Sequence, residues 1–199
     1  VGSIQAGLSQ LLADHQGRPS DEDRASTLES RPETTETGLV FEVGSIQAVA
    51  DIGRHEQWFI DPEEVVLQSQ ILGEGGFGTV FAGTFHGTPV AVKQPKVGLP
   101  RDKRESAMVS AVNELRVLRR LRHPNIVMFY GACVDLNLGE LKIVLERVNG
   151  MTLQDFISGS RPQWTDRLQA ITGTCWALRY LHSRQPVVVH GDLKDSNIF

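Results

Sequence analysis

Alternating apolar and polar residues predict a run of β-strands in the middle of the chain. Two stretches, residues 65–73 and 78–95, alternate as half-buried strands do. Their aliphatic or aromatic positions are Val65, Leu67, Ile71, Val80, Phe81, Val90 and Val92. A tight turn is marked by Gly87-Thr88 inside the second stretch. Two further strands are predicted near residues 126–134 and 141–146.

The pattern changes to a helical period over residues 103–122, where one face is apolar and the opposite face carries arginines. The apolar face comprises Met108, Ala111, Val112, Leu115, Leu118 and Leu121. A second helix is predicted to begin at Thr152, capped by Asp155 three residues later, and a third to cover residues 165–182. Val187–Val189 is predicted to be a short buried strand. Strands, one helix, strands and then helices form an α+β order rather than strict βαβ alternation.

The beginning of the chain lacks such patterns. Residues 17–38 hold two prolines, many Ser, Thr and Glu, and one large apolar residue. Such a stretch buries too little apolar surface to offset its conformational entropy, so residues 1–57 are predicted to be a largely disordered leader. Helical spacing of apolar residues predicts one short amphipathic helix over residues 4–12. The sequence Val-Gly-Ser-Ile-Gln-Ala occurs twice, at residues 1–6 and 43–48. It can be interpreted as a duplicated docking peptide or as a local duplication without a function, and we favour the second interpretation.

Charge divides the chain at the same place. Of the 199 residues, 20 are Lys or Arg and 24 are Asp or Glu, a net charge of −4. Residues 1–57 carry 10 acidic and 4 basic residues, so an acidic leader of −6 precedes a body of +2. This composition does not favour nucleic-acid binding, and no apolar run approaches the roughly 20 residues of a membrane span.

Cysteine content and the first residues bear on location. The two cysteines, Cys133 and Cys175, cannot build a disulfide framework, which favours an intracellular, reducing (cytoplasmic) compartment. The sequence begins with Val and has no signal-peptide pattern, which favours a fragment of a longer protein.

A glycine-rich motif provides the first candidate chemistry. Residues 73–80 read Gly-Glu-Gly-Gly-Phe-Gly-Thr-Val, and glycines let the backbone approach phosphate oxygens because no Cβ intervenes. A plain hairpin turn and a dinucleotide-binding loop are alternatives. The dinucleotide loop needs a helix directly after the third glycine, whereas a strand-forming sequence follows here, so this alternative is disfavoured.

A lysine follows in the next predicted strand. Strand alternation puts Val90 and Val92 on one face and Ala91 and Lys93 on the other. A lone strand lysine is usually solvated, but at this spacing from the glycine motif Lys93 can reach phosphates and contact them charge to charge.

An acidic partner for Lys93 is expected on the helix over residues 103–122. That helix offers Glu105 and Glu114. Glu105 lies in the first turn, where it favours the helix dipole, whereas Glu114 lies beside the apolar face. We therefore expect Glu114 to pair with Lys93.

The last motif, at residues 190–197, reads His-Gly-Asp-Leu-Lys-Asp-Ser-Asn. In this pattern Asp192 can orient a hydroxyl group and accept its proton. Lys194 can neutralise a transferring phosphoryl group, and Asn197 can hold a metal ion.

Taken together, the ordered motifs resemble the first part of a eukaryotic protein kinase domain over residues 58–199. The segments at Trp58, His123–Val127 and Tyr130–Cys133 resemble the tyrosine-kinase-like group of serine/threonine kinases. The resemblance implies a five-stranded antiparallel small lobe with one regulatory helix, and the helical start of a large lobe. The implied divisions are a leader at 1–57, a small lobe and hinge at 58–148, and an incomplete large lobe at 149–199.

The resemblance also implies ATP and Mg²⁺ as cofactors. Residues expected to bind ATP are Leu72, Gly73, Gly75, Gly76, Phe77, Gly78, Val80, Ala91, Lys93, Leu145, Glu146, Val148 and Phe199. Among them Leu145 falls at the gatekeeper position, Glu146 and Val148 offer hinge backbone groups, and Phe199 supports the adenine ring.

Roles in catalysis are implied for a smaller set. Asp192 is the expected base, Lys194 a phosphate contact and Asn197 the Mg²⁺ ligand, with Lys93 and Glu114 as the supporting pair. Structural or packing roles are expected for His123, His190, Trp176 and Tyr180.

Two departures from the family pattern stand out. Gly191 replaces the usual arginine between His190 and Asp192, so we expect activity that does not depend on activation-loop phosphorylation in the usual way. The sequence ends at Phe199 without an Asp-Phe-Gly motif, which supplies a principal metal ligand.

The function favoured by the sequence is ATP-dependent phosphorylation of Ser or Thr in a protein substrate, with these 199 residues alone being inactive. The alternative is a non-catalytic, pseudokinase-like module that binds a nucleotide or a partner. No motif identifies the substrate, and the oligomeric state is open.

Overall fold

The computed structural model describes residues 33–34, 40–41, 46–75, 78–95, 111–136, 139–159 and 162–199. Its helices are α1 (Ile46–His55), α2 (helical over residues 111–118), α3 (Leu153–Gly159) and α4 (Trp164–His182). Its strands are β1 (Glu33–Thr34), β2 (Val40–Phe41), β3 (Phe59–Ile60), β4 (Val65–Gly75), β5 (Gly78–Phe85), β6 (Thr88–Pro95), β7 (Phe129–Asp135) and β8 (Glu140–Glu146).

One six-stranded sheet organises the first half of the folded part, in the order β3-β7-β8-β6-β5-β4. The five strands from β7 to β4 pair antiparallel, as predicted, and the α+β class is confirmed. The tight turn between β5 and β6 has positive φ at His86 (45°) and Gly87 (79°). The sixth strand, β3, is parallel to β7 and was not predicted, because two residues are too short to show an alternation.

Each face of the sheet carries a layer of buried side chains. On one face Val90, Val92 and Val144 form a small cluster. The other face belongs to the main core, which contains Phe129 and Leu145 of the sheet together with buried residues of α1, α2 and α4. The main core therefore joins the sheet to the helices.

Helix α1 corrects the predicted end of the leader at residue 57. Val49, Ala50 and Ile52 of α1 are buried in the main core, and Trp58 is 1% exposed. The apolar positions of α1 recur at helical spacing, which lets one face pack against the sheet. Residues 46–57 are therefore part of the folded body, although they belong to the acidic part of the chain.

Most of the remaining leader lies outside the described residues. Glu33–Thr34 pairs antiparallel with Val40–Phe41, which departs from the disorder predicted for residues 17–38. The predicted helix over residues 4–12 and the first copy of the six-residue repeat are outside the described ranges.

The helices near the end of the chain follow their sequence signals. Thr152 Oγ1 accepts a hydrogen bond from Asp155 N (3.1 Å) and donates one to Asp155 Oδ2 (2.6 Å), which confirms the predicted cap of α3. Helix α4 buries Gly173, Ala177 and Leu181, which are spaced four residues apart on one face. Among the described residues, no helix is long and apolar enough to cross a lipid bilayer.

Three predictions about local structure are wrong. Helix α2 ends at residue 118 rather than 122, because the backbone N–H groups of Arg120 and Leu121 bond three residues back instead of four. Trp176 is 58% exposed, on the face of α4 away from the core, so it does not pack as predicted. Val187–Val189 is not a buried strand: Val187 is 59% exposed and Val189 is 58% exposed. Here the backbone N–H of Val188 bonds to the end of α4 instead.

Candidate active site

The glycine-rich motif forms the hairpin between β4 and β5. Gly73 lies opposite Val80, and Gly75 lies opposite Gly78. Gly78 has a φ of 147°, which favours glycine. A Cβ added at Gly73 would meet no atom within 4 Å, so the space beside it is open. Two predicted positions at the tip lie outside the described residues, Gly76 and Phe77.

A strand follows this hairpin directly. Because β5 begins at Gly78, no helix N-terminus is available for a pyrophosphate group, and the dinucleotide-binding alternative does not fit. The described residues of the motif instead lie on two antiparallel strands, with Leu72 exposed and Val80 partly exposed near them.

Lys93 lies on the face of β6 that belongs to the main core. Its neighbours Val90 and Val92 are buried in the cluster on the opposite face, while Ala91 packs against the main core. The predicted alternation is therefore confirmed. In the sheet Lys93 is opposite Ile143 of β8, another residue of the main core.

Two carboxyl groups act on Lys93 from different parts of the chain. Burial lowers the pKa of Lys93, whereas the charges of Glu114 on α2 and of Asp192 act in the opposite direction. Burial raises the pKa of Glu114 to about 8, and Lys93 offsets only part of that rise. Glu114 Oε1 is buried and has no hydrogen-bond partner in the described part of the chain. The structure thus brings these three groups together.

Asp192 forms the centre of a second polar cluster. Its Oδ2 accepts a hydrogen bond from Asn197 Nδ2 at 3.0 Å and lies 3.1 Å from Lys194 Nζ. Asn197 Nδ2 also donates to the backbone oxygen of Asp192 at 2.8 Å. A 3₁₀ turn over Asp195–Asn197 returns the chain towards Asp192 and places the amide there.

These contacts set the ionisation of Asp192. Partial burial would raise its pKa, but hydrogen bonds from Lys194 and Asn197, with the charges of Lys194 and His190, lower the pKa below its ordinary value. Asp192 is therefore a carboxylate at neutral pH and can accept hydrogen bonds.

The residue before Asp192 has a conformational role. Gly191 has a φ of 71°, and Asp192 N donates to His190 O at 2.9 Å across it, closing a three-residue turn. A side chain at this φ would be strained, which gives a physical reason for glycine. His190 is buried, and its Nδ1 also accepts from Asp192 N, at 3.3 Å.

Apart from Leu72 on β4 and Val80 on β5, the predicted adenine-binding residues lie on β6, on β8 and after β8. Leu145 is 3% exposed and lies opposite Ala91 in the sheet. Glu146 N donates to Met128 O at 2.8 Å, and Glu146 Oε2 accepts from Met128 N at 3.1 Å. The backbone N–H of Glu146 is already hydrogen-bonded to Met128. Only the Glu146 carbonyl is therefore available for the predicted hinge contact with adenine.

The other two predicted adenine contacts lie in less regular segments. Val148 packs partly against the main core. Phe199 is partly exposed beside buried Ile198, whose carbonyl accepts a hydrogen bond from Leu153 N at 2.7 Å. The chain end is thereby attached to the start of α3.

A cavity of about 430 Å³ lies elsewhere, between α3 and α4. It is lined by Leu153, Phe156, Ile157, Pro162, Arg167, Ala170 and Ile171. The described residues of its lining are apolar except for Arg167, so they provide no pair of acid–base groups.

Sequence reasoning missed a set of polar contacts on the other side of α2. Arg116 of α2 and Arg119, directly after α2, hydrogen-bond to Glu56, which also accepts a hydrogen bond from the Trp58 indole. The apolar spacing over residues 46–53 was the available signal, since it predicts a helix that ends just before Glu56.

Comparison with known proteins gives a consistent result. The chain matches the protein kinase domain family over residues 66–199. It is 34% identical over 162 residues to a probable serine/threonine-protein kinase, drkD, of Dictyostelium discoideum; the match covers 79% of this chain and 12% of that protein. It is 40% identical over 141 residues to the receptor-like kinase LIP1 of Arabidopsis thaliana; this match covers 66% of this chain and 21% of that protein.

A third relative is the Raf homolog serine/threonine-protein kinase of Caenorhabditis elegans, 35% identical over 149 residues, covering 73% of this chain and 17% of that protein. The chain thus spans between 12% and 21% of the length of these relatives. The resemblance found from the motifs, including the tyrosine-kinase-like group, is confirmed. The chain belongs to the protein kinase domain family.

Proposed function

We propose that this chain carries the nucleotide site and catalytic loop of a protein serine/threonine kinase, which transfers the γ-phosphoryl group of Mg-ATP to a protein hydroxyl. One observation carries the proposal: the partly buried Lys93 is acted on by the charges of two carboxyl groups from separate segments, Glu114 of α2 and Asp192 of the last motif. Burial of such groups is costly, and perturbed titratable groups cluster where chemistry is performed.

The phosphates of ATP would lie between the β4–β5 hairpin and Lys93. The open space beside Gly73 leaves room for phosphate oxygens near the backbone, and the Lys93 ammonium supplies a charge-assisted contact to them. Apolar side chains would enclose the adenine ring, namely Leu72, Val80, Ala91, Leu145 and Phe199. The Glu146 carbonyl and the Val148 backbone would provide its polar contacts.

The side-chain chemistry of Asn197 fits Mg²⁺. An amide oxygen is a ligand type that this ion accepts, and the hydrogen bond from Asn197 Nδ2 to Asp192 Oδ2 (3.0 Å) fixes the amide beside that carboxylate. Asn197 would hold the ion, which when bound would neutralise charge on the transferring phosphoryl group.

Asp192 would orient the acceptor hydroxyl and accept its proton. Its lowered pKa keeps it ionised, and the bonds from Asn197 hold its carboxylate in place. Lys194, which is exposed and close to Asp192, would contact the phosphoryl group. A Ser or Thr acceptor is supported by Lys194 at this position and by the names of the serine/threonine kinase relatives.

A polypeptide of these 199 residues alone is expected to bind ATP weakly and to transfer no phosphate, because it contains no Asp-Phe-Gly aspartate as a metal ligand. We also propose a cytoplasmic location, in keeping with the two free cysteines, Cys133 and Cys175.

The test uses the natural polypeptide that contains these residues, incubated with γ-labelled ATP, Mg²⁺ and a generic protein substrate. Label on Ser or Thr that is lost in Asp192→Asn and kept in Asp195→Asn supports the kinase. Asp195 is a matched control because its side chain is exposed and accepts a local hydrogen bond from Ser196 N at 2.8 Å. ATP binding without transfer would favour the non-catalytic module, and transcripts read past codon 199 would show whether Asp-Phe-Gly is encoded.

A further inference from the structure

A buried carboxylate ahead of the family match joins helix α1 to helix α2. The side chain of Glu56 is 6% exposed. Its Oε1 accepts a hydrogen bond from Arg116 Nε at 2.7 Å, and its Oε2 accepts one from Trp58 Nε1 at 3.2 Å. Arg119 Nη1 donates to the backbone oxygen of Glu56 at 2.8 Å, and Arg119 Nε lies 3.8 Å from Oε2. One carboxylate thus faces two guanidinium groups.

These contacts hold α2 from one side. Arg116 lies in the last turn of α2, and Arg119 directly follows the helix with its N–H still bonded four residues back, to Leu115 O. Both side chains therefore project from the same side towards Glu56. Glu114 is two residues before Arg116, a rotation of about 200° around a helix, so it projects to the other side, where Lys93 lies. A rotation or shift of α2 would disturb both sets of contacts together.

Glu56 itself is held on a rigid base. Trp58 N donates to Gly53 O at 2.9 Å, and Trp58 O accepts from Ala132 N at 2.8 Å, so the segment is tied to both α1 and β7. A Cβ added at Gly53 would come within 2.7 Å of the Trp58 ring, which shows how closely they pack. The carboxylate is therefore fixed relative to the sheet that carries Lys93.

We propose that Glu56 is a positioning residue of the nucleotide site, which acts through Arg116 and Arg119 to hold α2 with Glu114 towards Lys93. The inference rests on the proposed function, because the site that Glu56 serves is the proposed ATP site. It extends that site to a segment that lies before residue 66, where the family match begins.

The test is a double-variant cycle measured as the Kd for Mg-ATP by calorimetry on the whole chain, with thermal unfolding in parallel. The variants are Glu56→Gln, Glu114→Gln and the double variant. Asp51→Asn is the matched control, because Asp51 is an exposed carboxylate of α1 that pairs locally with Arg54. If Glu56→Gln does not fold, Arg116→Gln breaks the same contact from its more exposed partner.

Each single variant is expected to weaken Mg-ATP binding about tenfold. The double variant should bind no more weakly than Glu114→Gln alone, because Glu56 and Glu114 both act through the Lys93–Glu114 pair. The control should bind like the unaltered chain. Effects that multiply in the double variant would overturn the proposal, since Glu56 would then act independently of Glu114. A lowered unfolding temperature with an unchanged Kd would also overturn it, because the role would be structural only.

A second readout does not depend on nucleotide. Glu114 faces Lys93 of β6, with Asp192 near that lysine, and burial raises its pKa to about 8. Glu56→Gln is expected to abolish the fall in stability that Glu114 causes between pH 5 and pH 8, because α2 no longer holds the carboxyl in the buried site. An undiminished fall would overturn the positioning role. If Lys93→Met leaves Mg-ATP binding unchanged while this pH effect responds to Glu56, the proposed function fails and the positioning role stands.

Discussion

Replacing Glu114 by Gln should change how the stability of the folded chain depends on pH. Burial raises the pKa of Glu114 from 4.5 to about 8, so the folded state holds a proton that the unfolded state releases at lower pH. Stability is linked to the difference in bound protons between the two states. The contribution of Glu114 to the stability of the folded state is therefore fully present below pH 4.5, and it is lost as the pH rises towards 8.

The size of the effect follows from the two pKa values. The folded value of about 8 lies roughly 3.5 pH units above 4.5, and at ~1.4 kcal/mol per unit the upper limit is ~5 kcal/mol. Burial lowers the pKa of Lys93, so this group makes stability rise with pH up to 10.5, an effect opposite in sign to that of Glu114. Glutamine keeps the size of the side chain but cannot ionise, so it should remove the fall between pH 5 and pH 8.

The assay is urea-induced unfolding at pH 5, 6, 7 and 8 for the unaltered chain and for Glu114→Gln. We expect the free energy of unfolding of the unaltered chain to fall as the pH rises, and that of Glu114→Gln to stay nearly level. If the free energy of unfolding fell equally with pH in both proteins, the prediction would be wrong, because the fall would then come from groups other than Glu114.

Two further predictions concern packing and the catalytic loop. In Gly131→Ala the new Cβ would lie 2.6 Å from Trp58 O, so unfolding free energy should fall by about 1–3 kcal/mol, whereas Gly150→Ala, with no atom within 4 Å, should change little. Equal urea midpoints for the two variants would contradict this. In Asn197→Ala the pKa of Asp192 should rise because a hydrogen bond that lowers it is lost; carboxyl NMR titration measures this, and an unchanged pKa would contradict it.

Local signals predicted the elements that surround the site. The alternation at Val90 and Val92, the turn at Gly87 and the Thr152 cap each depend on neighbouring residues, so the sequence alone was sufficient. Lys93 was placed on the correct face for the same reason.

Features that depend on distant partners were missed or wrong. Strand β3 forms because Phe59 pairs with Ala132, far along the chain, and the buried Glu56 is paired with Arg116, sixty residues later. Val187–Val189 has the composition of a buried strand, but in the described structure no neighbouring strand pairs with it. Acidic composition likewise concealed α1, whose apolar face becomes stable only on the main core.

The central claim, that Lys93 lies in a nucleotide site, is tested most directly by the Kd for Mg-ATP of the unaltered chain, Lys93→Met and Lys142→Met. Lys142 is a matched control because it lies in the same sheet, opposite Cys133, and pairs with Glu140 at 3.7 Å. We expect measurable binding that weakens about tenfold or more in Lys93→Met and stays unchanged in Lys142→Met. Absence of binding to the unaltered chain, or equal affinity in all three proteins, would contradict it.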